Sequence, residues 1–315
     1  MTLKVAVTGV SSFSGSWIAR HLAKSSHQVF GLLSQKKDSY QGIQKIRMDW
    51  VGNQIEWVEA VPAESSRMTE WILQTQPEVW IHHHHPMDQY RSLDYSMEKV
   101  QRVAIKPLHE IIKALKAVKC KKIVYSGTFF EPGEGKQPLK QSSTPYAQSK
   151  YQVWQEIKKQ SIDSDLTLSK ILIPNPFGPG ENMDRLLPLM MRHSIEESIF
   201  SIRTPCSKSD FFPISELTKC YQEEVETLEA RIMRPSGGSM TVKAFVEMVN
   251  QQWIVNTLGW KPVQVQFGSE IGNSYEQDPA DFREIHWDHV WKEFYEIYSN
   301  WGWHQPDVFM KACLL

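Results

Sequence analysis

Charge of one sign is the first thing this 315-residue sequence lacks: 35 Lys plus Arg stand against 36 Asp plus Glu, a formal net charge of -1. With no basic field, neither nucleic acid nor an anionic membrane surface is an expected partner, and an anionic ligand has to be gripped locally. Long apolar runs are missing too. Nothing approaches the ~20 residues that cross a bilayer, and the chain enters a strand-like LKVAVTG almost at once, so neither export nor membrane insertion is expected. Cysteine is scarce. Cys120, Cys206, Cys220 and Cys313 form no C-x-x-C pair and no dense framework, a usage that suits reduced thiols in a cytoplasmic protein. Internal repeats and low-complexity tracts are absent apart from the run His82 to His85.

Short β-branched runs alternate with amphipathic stretches over the first two thirds, the pattern of parallel strands joined by crossover helices. Strands are expected at Lys4 to Thr8, Gln28 to Leu33, Ile55 to Val61, Val79 to His83, Lys122 to Ser126 and Leu166 to Ile173. Helices are expected at Phe13 to Lys24, Ser65 to Thr75, Asp94 to Val118 and Pro145 to Gln160. Trp71, Trp154 and Trp291 each sit among apolar residues at helical spacing, so the 12 tryptophans read as packing anchors. Beyond Asn175 the alternation weakens. Helical segments near Arg185 to Ser194, Ser215 to Leu228, Thr241 to Leu258 and Phe282 to Tyr298 are separated by Pro- and Gly-containing turns. The expected architecture is α/β: a doubly wound parallel sheet over residues 1–174, to which 205–232 return, and a smaller, mainly C-terminal lobe from 175–204 and 233–315.

Thr8-Gly-Val-Ser-Ser-Phe-Ser-Gly15 follows the first strand and opens the first helix, where a dinucleotide pyrophosphate meets free backbone N–H groups and the helix dipole. Gly9, Ser11, Ser12, Phe13 and Gly15 are the cofactor candidates there. Ser12 stands where the usual pattern has its middle glycine, and its Cβ takes up space near the phosphate. Tyr146-Ala-Gln-Ser-Lys150 sets a phenol and an ammonium one turn apart on a helix that Thr144 can cap and Pro145 can start. A cation beside a phenol favours the phenolate and so makes tyrosine a usable acid–base group. Tyr95 to Lys99 repeats the spacing, but only Tyr146 follows, 18 residues on, a strand ending in Thr128.

At these residues the chain resembles the extended short-chain dehydrogenase/reductase superfamily, the NAD-dependent epimerase/dehydratase branch, over nearly all of its length. Thr8 to Gly15 is similar to the family's Gly-rich turn, and Trp80-Ile81-His82 to its V-I-H strand end. Gly127-Thr128-Phe-Phe-Glu-Pro-Gly133 is similar to G-S-x-x-E-Y-G, Tyr146 to Lys150 to Y-x-x-x-K, and Pro174-Asn175 through Gly178-Pro-Gly-Glu181 to F-N-x-x-G-P-G-E. The resemblance implies a Rossmann-type fold, a nicotinamide cofactor and a nucleotide-sugar substrate. It also implies roles. Tyr146 passes a proton to or from a sugar oxygen while hydride moves between C4 of the nicotinamide and the sugar carbon. Lys150 lowers the tyrosine pKa and holds the ribose, and Thr128 orients the reacting oxygen. Asn175 touches the substrate phosphates, for which Arg185 and Arg203 are further candidates. A homodimer through the helices at 94–118 and 145–160 is the analogous assembly.

The departures from the family pattern matter as well. Leu33 stands near the position where NAD-preferring relatives carry an Asp, and Ser34, Lys36 and Lys37 could hold a 2′-phosphate, which favours NADP over NAD. The acidic residue after the third strand is replaced at Ala60-Val61, and His84 and His85 replace two small residues in a loop that passes the cofactor. His82 and His84 are therefore read as cofactor contacts and His85 as a substrate contact. A metal site is not expected, because side chains alternate along an extended strand and no acidic or thiol cluster completes a ligand set. Phe129 and Phe130 stand where sugar 4,6-dehydratases carry Asp-Glu, which leaves a 4-ketoreductase or an epimerase. The rival is a non-catalytic dinucleotide- or sugar-nucleotide-binding protein that kept the fold.

Overall fold

The computed structural model describes residues 2–134, 144–272 and 281–314. The chain opens with β1 (Lys4–Thr8), α1 (Phe13–Lys24) and β2 (Gln28–Leu32), then α2 (Gly42–Val51), β3 (Glu56–Val58), α3 (Ser66–Thr75) and β4 (Val79–His82). After α4 (Met97–Val100) and α5 (Leu108–Ala117) come β5 (Lys122–Thr128), α6 (Pro145–Gln160) and β6 (Thr167–Ile173). These six strands are parallel in the order β6-β5-β4-β1-β2-β3, and a short strand, Ile232–Met233, pairs beside β6 to make seven. Strands of a sheet covered on both faces must be apolar throughout, and β4 and β5 are buried at every residue. One core cluster joins β1 to the C-terminal part of the chain; a second lies under α3, α5 and α6.

The parallel arrangement puts Thr8, Leu32, His82 and Thr128 at the carboxyl edge of the sheet, with β1 and β4 adjacent where the strand order reverses. In open α/β sheets, ligands bind in the crevice at that switch point. Across this edge the chain continues through α7 (Leu186–Glu196), α8 (Ile214–Glu226), α9 (Val242–Met248) and α10 (Trp287–Asn300). α8 packs against α1, while Phe177, Phe245, Trp253, Trp291 and Phe294 interlock edge to face in the outer part of the chain.

Several elements differ from expectation, among them a π-helix over Val249–Thr257 within the helix expected to Leu258 and an unforeseen strand pair, Ile199–Ile202 with Gln264–Phe267. The single helix expected over 94–118 is interrupted, because Pro107 has no N–H to donate. Lys106 N donates to Gln101 O instead, which closes a π turn over Gln101–Ile105. The helix expected from Phe282 starts at Trp287, and Asp281–Phe282 pair with Pro235–Ser236 as short strands. α2 was not expected at all. It contributes Met48, Val51 and the buried Arg47. No helix among the described residues is long and apolar enough to cross a membrane.

Candidate active site

The turn between β1 and α1 is as tight as its glycines demand. Gly9 has φ +72, and a Cβ there would lie 3.1 Å from His84 Cα; a Cβ on Gly15 would overlap the Gly9 carbonyl. Ser12 caps α1, its Oγ accepting from Gly15 N at 3.1 Å, so one of the helix's free donors is satisfied within the protein. That leaves the amides of Phe13 and Ser14 as first-turn donors.

A cleft opens beside this turn, walled by Leu32, Val61, Met68, Trp80 and Ile111, with Ser11, Ser34, Tyr40, His82 and His84 as its polar lining. The site fits the adenosine half of a dinucleotide on three counts: an apolar slot, a glycine cradle that side chains would fill, and two buried imidazole nitrogens, His82 Nε2 and His84 Nδ1, without protein partners. Ser34 Oγ lies 3.3 Å from Tyr40 OH. Lys37, expected to face a 2′-phosphate, does not line the cleft; its ammonium sits 4.7 Å over the Trp57 ring, and its amide donates to Glu59 Oε2 at 2.8 Å. Lys36 is exposed, and Ala60 holds a left-handed φ of +53.

The β4 histidines each have a separate setting. The amides of His83 and His84 donate to Thr8 Oγ1, both at 2.9 Å, which ties this loop to the end of β1. Burial, with Lys150 and neighbouring imidazoles adding repulsion, lowers the pKa of His82 and His83 to about 3; burial and Lys150, opposed by Glu64, lower that of His84 to about 4. His85 is likewise pushed well below its ordinary value, so all four are neutral. Ser149 Oγ donates to Tyr146 O at 2.7 Å, so its oxygen accepts from His85 Nε2 at 2.8 Å, and His85 Nδ1 remains a buried bare acceptor. Among the described residues, no group of three or more His, Cys, Asp or Glu side chains could hold a metal ion.

Thr144 caps α6, its Oγ1 accepting from Ala147 N at 3.2 Å, and Pro145 opens the helix. The helix it opens carries Lys150 onto β5 and Tyr146 onto His85. Tyr125 OH donates to Lys150 O at 2.7 Å, and Lys150 Nζ donates to Ser126 O at 2.6 Å while lying 5.2 Å over the Tyr125 ring. Burial lowers the Lys150 pKa to about 8; Glu131 opposes the shift and Lys170 adds to it. Tyr146 meets His85, Tyr90 and Tyr95 edge on, with ring centroids 5.4, 5.5 and 5.9 Å away. Burial, then Tyr95 and Tyr90, pushes its phenol well above the ordinary tyrosine value. The expected lowering by Lys150 is therefore not in force in this arrangement, where the ammonium is drawn down onto Ser126.

Thr128 ends β5, its amide donating to Glu131 Oε1 at 2.9 Å. Glu131 Oε2 in turn accepts from Lys170 Nζ at 2.6 Å, with both side chains almost fully buried. On the outer side, Arg185 NH2 donates to Asn175 Oδ1 at 2.8 Å, and its NH1 reaches Tyr90 OH at 3.4 Å, so two expected phosphate ligands meet beside a ring that touches Tyr146. Glu181, its pKa raised to about 7 by burial, lies 3.5 Å from Arg185 Nε. Arg47 bridges the two sides of the crevice: Nε donates to Gly180 O and NH2 to Asn182 Oδ1, both at 2.6 Å, and NH1 to Ser11 O at 3.4 Å. Arg203 is exposed beyond Ile199–Ile202, and no described side-chain contact joins it to this group.

Glu131, Lys170, Arg47 and Tyr40 were not foreseen. A lysine inside the apolar strand TLSKILI was a readable signal, since a charge in a doubly covered strand needs a partner. Arg47 gave none, because its two shortest bonds, to Gly180 and Asn182, go to residues more than a hundred positions away in sequence.

The model of the NAD dependent epimerase/dehydratase family matches residues 5–209, and the chain belongs to that family. Among solved structures, it is similar to a UDP-N-acetylglucosamine 4-epimerase from Methanobrevibacter ruminantium, at 16% identity and TM-score 0.75, covering 95% of this chain and 99% of that one. It is also similar to a UDP-glucuronic acid 4-epimerase from Bacillus cereus, at 14% identity and TM-score 0.73, covering 95% and 99%. A third is a UDP-glucose 4-epimerase from Thermotoga maritima, at 14% identity and TM-score 0.71, covering 94% and 98%. None of the curated proteins matches the sequence.

Proposed function

We propose that the chain is an NAD(P)-dependent oxidoreductase acting on a nucleotide-linked sugar, as a 4-epimerase or 4-ketoreductase. The observation that carries this reading is the capped start of α6, which holds Lys150 on Ser126 of β5 and Tyr146 against His85, on the same sheet edge as the Gly-rich turn and Thr128. The family membership and the three neighbouring UDP-sugar 4-epimerases support it.

When bound, a nicotinamide dinucleotide supplies a hydride acceptor and donor. Gly9, Ser11, Ser12, Phe13 and Gly15 would cradle its phosphates, with His82 and His84 turning their unpartnered nitrogens to it. NADP is favoured, its 2′-phosphate meeting Ser34, Tyr40 and the exposed Lys36; NAD is the competitor. Tyr146 keeps its proton at neutral pH and gives it to, or recovers it from, a sugar oxygen that Thr128 orients. Lys150 releases Ser126 O and turns to the ribose, and its ammonium then eases loss of the phenol proton. His85, neutral and with Nδ1 bare, accepts from a sugar hydroxyl. Asn175 and Arg185, already paired, face the substrate diphosphate. The four cysteines are free, which suits the cytoplasm, and the working form is taken to be a homodimer through α5 and α6.

Titration with NADPH and then NADH, followed by turnover on UDP-sugars and 4-keto nucleotide sugars, tests the reading. We expect tighter binding of NADPH. Tyr146→Phe should bind the cofactor normally and lose about 10³-fold in turnover. Binding of neither dinucleotide overturns the proposal.

A further inference from the structure

Beneath the Gly-rich turn, four side chains from different parts of the sheet edge join end to end. Tyr221 on α8 meets Ser126 on β5 at 2.6 Å (OH to Oγ), Ser126 Oγ meets His83 Nδ1 at 2.7 Å, and His83 Nε2 meets Ser14 Oγ in the first turn of α1 at 2.9 Å. The buried end fixes the direction of the protons. Tyr221 is fully buried, burial raises its pKa so that it keeps its proton, and among the described residues Ser126 Oγ is the acceptor within its reach. Donation the other way would strand the phenol proton in the interior without an acceptor. Tyr221 therefore donates to Ser126, and Ser126 donates to His83 Nδ1. The neutral imidazole then carries its proton on Nε2 and donates to Ser14. The Ser14 oxygen is left accepting, with its own proton free; no acceptor for it is present among the described residues.

We infer that Ser14 is a diphosphate-binding donor preset by the chain Tyr221–Ser126–His83, so that a phenol far behind the cleft sets the polarity of the phosphate subsite. The inference rests on the dinucleotide reading above. Two observations direct it to a ligand. Ser14 lies in the same first turn as the free Phe13 amide, at the positive end of α1. The adjoining cleft, lined by Gly9 and Ser11, receives the unpartnered Nε2 of His82, a residue only 4% exposed. No lysine or arginine lines that cleft, so a hydroxyl donor carries weight that a cation would otherwise take. The same Ser126 supplies the carbonyl that holds Lys150, so the chain that ends at Ser14 and the anchor of the lysine share one residue.

The chain predicts its own tautomer. Long-range ¹H–¹⁵N spectra of the full-length protein labelled at histidine, with His83 assigned by its loss in His83→Asn, should show Nε2 protonated and Nδ1 bare; the opposite tautomer overturns the inference. In parallel, the Kd values of NADPH, ADP and adenosine are measured by calorimetry. Ser14→Ala should weaken NADPH and ADP about tenfold and leave adenosine unchanged. Tyr221→Phe, which keeps the ring and its packing, should weaken the same two ligands about threefold. Unchanged ADP binding in Ser14→Ala, or an equal loss for adenosine, overturns it. Failure of the unmodified protein to bind any of the three removes the dinucleotide reading and this inference with it, a result distinct from binding that ignores Ser14.

Discussion

At the β1–β4 end of the crevice, a ligand meets hydroxyls, helix amides and imidazoles held neutral by burial, and no lysine, arginine or carboxylate lines the cleft. At the β5–β6 end, Lys150, Glu131 and Lys170 lie buried together, and Arg185, Glu181 and Arg47 form a second charged group alongside. The contrast separates binding from chemistry. The end proposed to face the phosphates offers donors that bring no net charge and need no counter-charge in the interior. The end proposed to carry the reaction holds charges that keep one another in place, because a buried charge survives only with a partner and satisfied hydrogen bonds.

The largest effect that would sharpen this comparison is removal of the charge between the two buried lysines. Glu131→Gln should destabilise the fold by about 3 kcal/mol, since Lys170 loses its partner while remaining buried. A urea midpoint that scarcely moves would break the claim that the charges at this end are interdependent. In the same variant Lys150 loses the group that opposes its depression, so the alkaline fall in activity should move below its starting point near pH 8.

Acid should strike the neutral end next. His82 and His83 titrate at about 3 when folded, against an ordinary value of 6.5, so the unfolded chain binds protons that the folded chain refuses. Their contribution is fully present above pH 6.5 and is lost as pH falls from there toward 3, at about 1.4 kcal/mol per histidine for each pH unit. Thermal midpoints at pH 7, 6 and 5 measure it. A His83→Asn protein whose midpoint falls as steeply as that of the parent would place the acid sensitivity elsewhere.

The smallest effect concerns the edge of the neutral end. Lys37→Ala should leave NADPH affinity within about twofold, because its ammonium rests on Trp57 at a site where such contacts are worth about 0.5 kcal/mol. A tenfold loss would show that Lys37 leaves Trp57 for the cofactor and joins Lys36 as a second cation at the rim of this end.

The sheet and the Tyr146–Lys150 helix were legible because their signals are local: alternating apolar runs, a Thr-Pro start, and two groups four residues apart. Ser12 was legible as a departure but not as a cap, since its bond to Gly15 N depends on the exact turn of the backbone. α2 carried a helical apolar spacing in Ile43, Ile46 and Trp50, yet no helix was expected there: its N-cap position is Gln41, whose side chain makes no capping bond. The break before Pro107 was readable from the proline itself, whereas the π turn that accommodates it was not, because one extra residue per turn alters the phase of a helix without altering its composition. Least legible were the partnerships of Glu131 with Lys170 and Arg47 with Gly180, which exist only once distant strands and loops have been brought together.

Four consecutive histidines form, on paper, a short affinity tag. In the folded chain their lone pairs point into the interior or bind hydroxyls, and His82, His83 and His85 are each under 10% exposed. Immobilised nickel therefore has little to grip at this place until the β4 loop comes away from Thr8. The run becomes a chelating strip only when the end of β4 opens, so retention on a nickel matrix that rises with denaturant would report the integrity of the crevice without any label, substrate or assay.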